Sequence, residues 1–522
     1  MNQKINLYDT TLRDGSQGLG VSFSVADKIQ IAKKLDAFGI HTIEGGWPGS
    51  NPKDIEFFKQ MKNVKLSYAK LAAFGSTRRA GVRVENEDNV LKLLDVGTPV
   101  VTIFGKSWTF HVSDILKVSF EENLKMISET VAFLKKAGRE VVYDAEHFFD
   151  GVKADAAYAL QTLVAAAEAG ADCICLCDTN GGTLPSELRQ IIRQVKANIK
   201  TPLGIHAHND SGLAVANALA AVEEGVTQVQ GTINGLGERT GNADLCSIIP
   251  NLQLKMNHSV MRSEQLKNLI EVSRFVDNMG NLRHNPRLPY VGEASFSHKG
   301  GMHVNAVQKN PKSFEHIDPS LVGAHRRILI SELSGQSNIL MKAREYGIDL
   351  GKEDSQTKGI LQKLKDREHQ GYEYESAEGS FEVLMMKILG KHKNFFNLHH
   401  YRVIIEHNGN TLESEATVKL SVNGEVMHVA AEGEGPVNAL DSALRRSLIP
   451  FYPLLSEVEL VDFKVRVLEG QEGTAARVRV MIESKDSQGQ LWTTVGVSEN
   501  IIEASMEALL DSIEYKLMKS KE

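Results

Sequence analysis

The chain has 522 residues, well beyond the ~250–300 at which one core stops growing, so at least two domains are expected. A composition of 42% hydrophobic and 24% charged residues excludes disorder and low complexity. A net charge of -7, with both signs interspersed, leaves no basic face for nucleic acid or an anionic membrane.

The opening MNQKINLYDTTLRDG passes directly into strand-like sequence, without the basic and apolar regions of a leader. No apolar run nears the ~18 residues of a membrane span. A cytoplasmic protein, with neither membrane nor nucleic acid as partner, is expected. From there to about residue 250, short apolar runs alternate with helical patterns. The strand candidates in order are INLYDTTLRD, HTIEGG, VKLSYAKLAAF, PVVTIFG, EVVYDAEHF, DCICLCDT, LGIHAH and VQGTINGLG. Eight such βα units over about 250 residues predict a (β/α)8 TIM barrel, assigned to residues 1–275. A doubly wound open sheet is the competing architecture. The barrel is preferred because polar, reactive residue types sit where most strands end, the face on which barrel enzymes carry their sites.

The intervening helices have sensible ends. Ser24 is a predicted N-cap with Asp27 at the capping-box position and Gly39 as the stop, and ADAAYALQTLVAAAEAG stops at Gly170. Cys173, Cys175 and Cys177 alternate in a buried strand and Cys246 stands apart. Their spacing is not that of a zinc site, and all four read as reduced core residues.

Residues 276–372 lose the alternation and read as a mostly helical linker with Gly-rich loops such as SFSHKGGMHVNAVQKNP. Beyond, in 373–522, three strand-like runs and the helix PVNALDSALRRSL are followed by three more runs and NIIEASMEALLDSIEYKL. This predicts an α+β domain of two βββα repeats.

GIHAHND raises the question of chemistry. Residues two apart on a strand share a face, so His206 and His208 project together into the barrel mouth. Alone, His-x-His is weak, because one core histidine and one surface neighbour produce it too. Asp14 after the first strand and Asn242 after the eighth would complete a set of one carboxylate, two imidazoles and an amide oxygen. Such a set suits a divalent ion used as a Lewis acid.

YDTTLRDGSQ, EGGWPGSNPKD, CDTNGG, HAHNDSGLAVANALAAVEEG and INGLGERTGNADL together resemble successive motifs of the 2-isopropylmalate, homocitrate and citramalate synthases. These are metal-dependent barrel enzymes that condense acetyl-CoA with a 2-oxo acid, and the resemblance spans almost the whole chain. It implies a C-terminal regulatory domain that dimerises and binds an amino acid. The forms EGGWPGSNPKD and AEHFFDGVK are similar to those of citramalate synthases, which implies pyruvate as acceptor, (R)-citramalate as product and isoleucine as effector.

Residue by residue, the resemblance implies Asp14, His206, His208 and Asn242 as ligands of Mg, Mn or Zn. Arg13 would face the keto oxygen that becomes an alkoxide. Thr179 would bond the substrate carboxylate, Glu44 would order Arg13 or substrate, and Glu146 would relay the acetyl methyl proton. His303, in HKGGMHVNA, would serve the active site of the partner subunit in a homodimer. Relatives commonly carry tyrosine where this chain has Phe314. The rings of Phe74 and Phe104, if they face the mouth, would shorten the pocket toward pyruvate. GEGPVN at 433–438 could hold an effector carboxylate at a helix N-terminus or be an ordinary turn. Two other readings stay open: a relative with a larger 2-oxo acid or a lyase of the same barrel type, and a non-catalytic metal- or amino-acid-binding protein on the same scaffold.

Overall fold

A computed structural model describes residues 4–329, 340, 343–344, 355–409, 411–468 and 476–520. By their internal contacts the residues form two compact units, 1–296 with 316–326, and 297–315 with 327–522.

The first unit is a closed barrel of eight parallel strands: β1 (Asn6–Asp9), β2 (Thr42–Gly46), β3 (Lys70–Ser76), β4 (Val100–Lys106), β5 (Glu140–Glu146), β6 (Cys173–Asp178), β7 (Leu203–Ala207) and β8 (Gln228–Gly231). Each strand pairs with the next, and β1 closes on β8 with Asp9 opposite Gly231. Helices α1 (Val25–Phe38), α2 (Pro52–Met61), α3 (Asp88–Asp95), α4 (Phe120–Lys136), α5 (Phe148–Glu168), α6 (Pro185–Asn198) and α7 (Ala214–Glu223) follow β1 to β7 in turn. The α1 cap forms as its sequence dictates: Ser24 and Asp27 make a reciprocal capping box, and Gly39 takes the left-handed stop at φ 103°. Such a cap contributes about 1 kcal/mol.

Alternation along the strands sorts the side chains. Ile43, Ala73, Ile103, Tyr143, Ile174 and Ile205 belong to the apolar layer that includes helix residues such as Leu35 and Leu188, whereas Tyr8, Ala72, Val100, Val142 and the three alternating cysteines pack together as a separate cluster. The cysteines are therefore free, buried core residues.

Three elements differ from expectation, each through a local carboxylate or turn. The third strand begins at Lys70 rather than residue 64, because the Asp36 carboxylate accepts the N–H groups of Ser67, Tyr68 and Ala69 and commits them to a turn. The first strand stops at Asp9, whose side chain accepts from the Thr11 N–H and hydroxyl and turns the chain out. The eighth ends at Gly231, where a short 3-10 turn with Asn234 at φ 59° replaces the expected strand.

In the second unit, β9 (Ser297–His298) pairs with β10 (Arg327–Ile328) in parallel. The C-terminal part holds two antiparallel sheets, β11 (Asn397–Asn408), β12 (Thr411–Val422) and β13 (Glu425–Gly433), then β14 (Glu459–Val467), β15 (Val478–Lys485) and β16 (Leu491–Ser498). Helix Pro436–Leu448 follows the first and Ile501–Lys519 the second. The two βββα repeats share one core, in which Val418 and Leu420 of β12 and Val480 and Ile482 of β15 join Leu444 and Leu509 of the helices. Among the described residues no helix is long and apolar enough to cross a membrane.

Candidate active site

The site is assembled where the strands end. Beyond β1 the chain turns through Arg13 and Asp14, while His206 lies in β7 with His208 just past its end. One ligand atom each from Asp14, His206 and His208 fall within 4.8 Å of one another, and all three residues are buried. The Nε2 atoms of the two imidazoles are 3.3 Å apart, and Asp14 Oδ2 is 3.4 Å from that of His206 and 3.9 Å from that of His208. Asn242 is brought alongside by a β-bridge to His208, and Gly237 makes room for its amide, since a Cβ there would lie 2.1 Å from Nδ2.

This donor set fits a divalent cation on the structure's own evidence. Asp14 Oδ1 and Asn242 Oδ1 are buried and have no hydrogen-bond partner among the described residues. Orphaned buried acceptors are costly, at about 1–3 kcal/mol each, and an ion satisfies both. The electrostatics agree at Asp14 and His208, whereas at His206 burial lowers the imidazole pKa but the Asp14 carboxylate outweighs burial and raises it. Burial would raise Asp14, but the Arg13 guanidinium and His206 hold it well below the usual carboxylate range. Burial, helped by His206, pushes His208 down to about 4, so its imidazole is neutral and its lone pair is free.

Arg13 links this set to the pocket wall. Its Nε donates to Glu44 Oε1 at 2.6 Å, its Nη1 to Asp14 Oδ2 at 3.1 Å, and the guanidinium lies 3.8 Å from the centroid of Phe74. Glu44 sits in the middle of β2 and is fully buried, also accepting from the Tyr8 hydroxyl at 2.6 Å. Phe74 stacks on Phe104 at 5.5 Å, and Trp47 stands edge-on to both. Trp47 was passed over in the sequence. Its backbone N–H donates to Asp54, which is ion-paired with the buried Lys28, and its indole donates to Asn89.

Thr179 follows β6. Its hydroxyl oxygen accepts the N–H of His147 at 2.9 Å, and its carbonyl accepts from Arg239 at 2.7 Å. Its hydroxyl proton is therefore left to donate elsewhere. His147 holds a left-handed backbone at φ 54° to make that bond. Glu146 ends β5 and is engaged by Lys106, its register partner on β4. His303 belongs to the second unit, on helix Gly301–Lys309, where its ring stacks on half-exposed Phe314 at 4.2 Å.

Two buried residues that the sequence reading missed lie beside the imidazoles. Gln230 of β8 and Asp144 of β5 are joined to His206 by hydrogen bonds. The signal was there, since Gln228 and Gln230 alternate in a strand that is buried throughout. Asp144 also comes within 4.8 Å of Cys175 and Cys177, but burial pushes the Cys177 thiol up to about 11 and its S–H donates to the Cys175 carbonyl, as expected of core thiols.

Barrel and site together define a TIM-barrel enzyme with a carboxylate–imidazole cation site beside a fixed guanidinium. Residues 4–276 match the HMGL-like family model, 290–371 the homocitrate synthase post-HMGL domain-like model, and 375–517 the LeuA allosteric (dimerisation) domain. The chain is 56% identical to the (R)-citramalate synthase of Geobacter sulfurreducens, covering 99% of this chain and 98% of that one. It is 54% identical to that of Aquifex aeolicus, over 100% and 99%. The 2-isopropylmalate synthase of Methanocaldococcus jannaschii is 31% identical, over 99% and 95%. The chain belongs to the HMGL-like family, in its (R)-citramalate synthase branch.

Proposed function

We infer that this chain condenses acetyl-CoA with pyruvate and water to give (R)-citramalate and CoA, an acyl transfer in which the acyl group becomes an alkyl group. The reading is carried by the convergence of Asp14, His206 and His208 beside the Arg13 guanidinium in a chain of this family. A divalent ion held by these three and the Asn242 amide oxygen would supply Lewis-acid polarisation and orientation of a chelated 2-oxo acid, and Mg, Mn and Zn each suit part of the donor set.

The chain's own residues do the rest. Arg13, held by Glu44, offers guanidinium N–H groups to the oxygen that gains charge as the carbon–carbon bond forms. Thr179 donates its free hydroxyl proton to the pyruvate carboxylate. Glu146 takes a proton from the acetyl methyl group, whose carbon then bonds to C2 of pyruvate, and the former keto oxygen ends protonated. His303, contributed across a homodimer, assists water in cleaving the thioester, releasing the CoA thiol. Phe104, with Phe74 and Trp47, limits the acceptor to a methyl group. The three-part division at 275 and 372, cytoplasmic location, a place in isoleucine synthesis and feedback by isoleucine at the C-terminal repeats complete the proposal.

The test is release of CoA thiol by the full chain with acetyl-CoA and a divalent ion, comparing pyruvate, 2-oxobutyrate, 2-oxoisovalerate and 2-oxoglutarate. Preference for pyruvate with citramalate as product is expected. Preference for a larger acid changes the substrate and keeps the chemistry, and no turnover by folded, ion-loaded protein overturns the reading.

A further inference from the structure

His206 has two ring nitrogens with different surroundings. Nε2 faces inward to the convergent donors, 3.3 Å from His208 Nε2 and 3.4 Å from Asp14 Oδ2. Nδ1 faces away, 3.1 Å from Gln230 Oε1. The amide nitrogen of the same Gln230 donates to Asp144 Oδ1 at 3.0 Å and to Gln228 Oε1 at 3.3 Å. His206, Gln230 and Asp144 are 5%, 0% and 4% exposed, so water does not compete for these contacts.

We propose that Gln230 and Asp144 are positioning residues that set which nitrogen of His206 carries its proton. The inference rests on the reading of Asp14, His206 and His208 as an ion-holding set. A neutral imidazole binds a cation only through an unprotonated nitrogen, so the proton must reside on Nδ1 for Nε2 to serve. An N–H at Nδ1 needs an acceptor, and Gln230 supplies one only while its carbonyl end faces His206. With the amide turned round, an NH2 group would face Nδ1, the proton would move to Nε2, and the inward lone pair would be lost. Asp144 opposes that turn, because its Oδ1 already accepts from the NH2 group and the turn would break that bond. The Gln228 carbonyl reinforces the same sense. Orientation thus passes from β5 through β8 to β7, by residues 86 and 24 positions apart in sequence.

Outer partners of ligating histidines typically change ion affinity about 10- to 100-fold when removed. The experiment uses the full chain stripped of metal and measures Mn2+ binding by the loss of the free-ion EPR signal, in Gln230→Leu, in the double variant Gln230→Glu with Asp144→Asn, and in His206→Ala. Gln230→Leu is expected to bind Mn2+ about 10- to 100-fold more weakly than the parent. The double variant reverses the polarity of one link but keeps an acceptor facing Nδ1 and an NH2 group facing that acceptor, so it is expected to bind within about threefold of the parent, well inside the range that loss of an outer partner produces. Parental affinity in Gln230→Leu overturns the proposal. Affinity in the double variant as weak as in Gln230→Leu, or weaker, also overturns it, and this arm decides if Gln230→Leu does not fold. Parental affinity in His206→Ala instead overturns the ion-site reading beneath it.

Discussion

Arg13 and Glu44 meet inside the barrel, Nε to Oε1 at 2.6 Å, with Glu44 fully buried and Arg13 pressed on the face of Phe74. The carboxylate holds the guanidinium in one orientation, and the ring adds a desolvated cation–π contact on the order of 2 kcal/mol. Glu44→Ala removes that restraint and leaves a buried cation short of a partner. A charged hydrogen bond contributes about 1.5–3 kcal/mol, so kcat/KM for pyruvate is expected to fall by about 10- to 150-fold. Steady-state kinetics at saturating acetyl-CoA checks it, and an unchanged kcat/KM would separate Arg13 from the acceptor.

The stacked pair Phe74 and Phe104, closed edge-on by Trp47, defines a wall beside Arg13. Phe104→Ala opens it, and 2-oxobutyrate, one methylene longer, should gain on pyruvate by about 10- to 200-fold in relative kcat/KM, the range one methylene commands in an apolar pocket. Competition assays with product analysis measure the ratio. The same preference order as the parent would remove this wall as the determinant.

Thr179 receives the His147 N–H on its hydroxyl oxygen, which leaves only its proton to give. Thr179→Val keeps the shape and removes both the hydroxyl proton and the acceptor of the His147 N–H. The expected result is a rise in KM for pyruvate of about tenfold, the equivalent of one hydrogen bond at about 1.4 kcal/mol, with KM for acetyl-CoA unchanged. Equal rises in both constants would point to a folding defect rather than a lost contact.

At the opposite ends of the strands, His41 accepts the Leu7 N–H on Nδ1 at 3.1 Å, and burial together with Lys4 pushes its pKa down to about 4. In the unfolded chain the value is about 6.5. Between these pH values the unfolded state binds more protons, so this site contributes a loss of stability as pH falls from about 6.5 to about 4 and none above. His41→Asn keeps an acceptor and abolishes the titration. The variant should therefore gain on the parent in denaturant unfolding as pH falls through that window, and parallel curves would refute the assignment.

Much of this was legible in the chain because it is locally encoded. Alternation at period two marked the buried strands, the Ser24–Asp27 box and Gly39 marked the first helix, and His206 with His208 share a face once their run is read as a strand. Other boundaries slipped where a side chain from another element intervened. VKLSYA looked like strand, yet Asp36 on α1 claims its N–H groups from outside the segment. Glu44 lies in the middle of β2 rather than at its end, and the hydroxyl of Tyr8 on the adjacent β1 donates to it.

By itself, the sequence determined the order of βα units, the repeat at the C-terminus and the naming of Asp14, His206 and His208 as residues that converge, all of which depend on residues near one another or on motifs read whole. Closure of the barrel decided the rest. Only when β8 pairs with β1 do strands that are not neighbours present their inner side chains to one small volume, so that Tyr8 of β1 reaches Thr102 of β4, and Gln230 of β8 reaches Asp144 of β5. Those contacts have no periodicity to read. In a buried interior, where an unmade hydrogen bond is costly, each polar group takes the partner that three-dimensional packing places within reach.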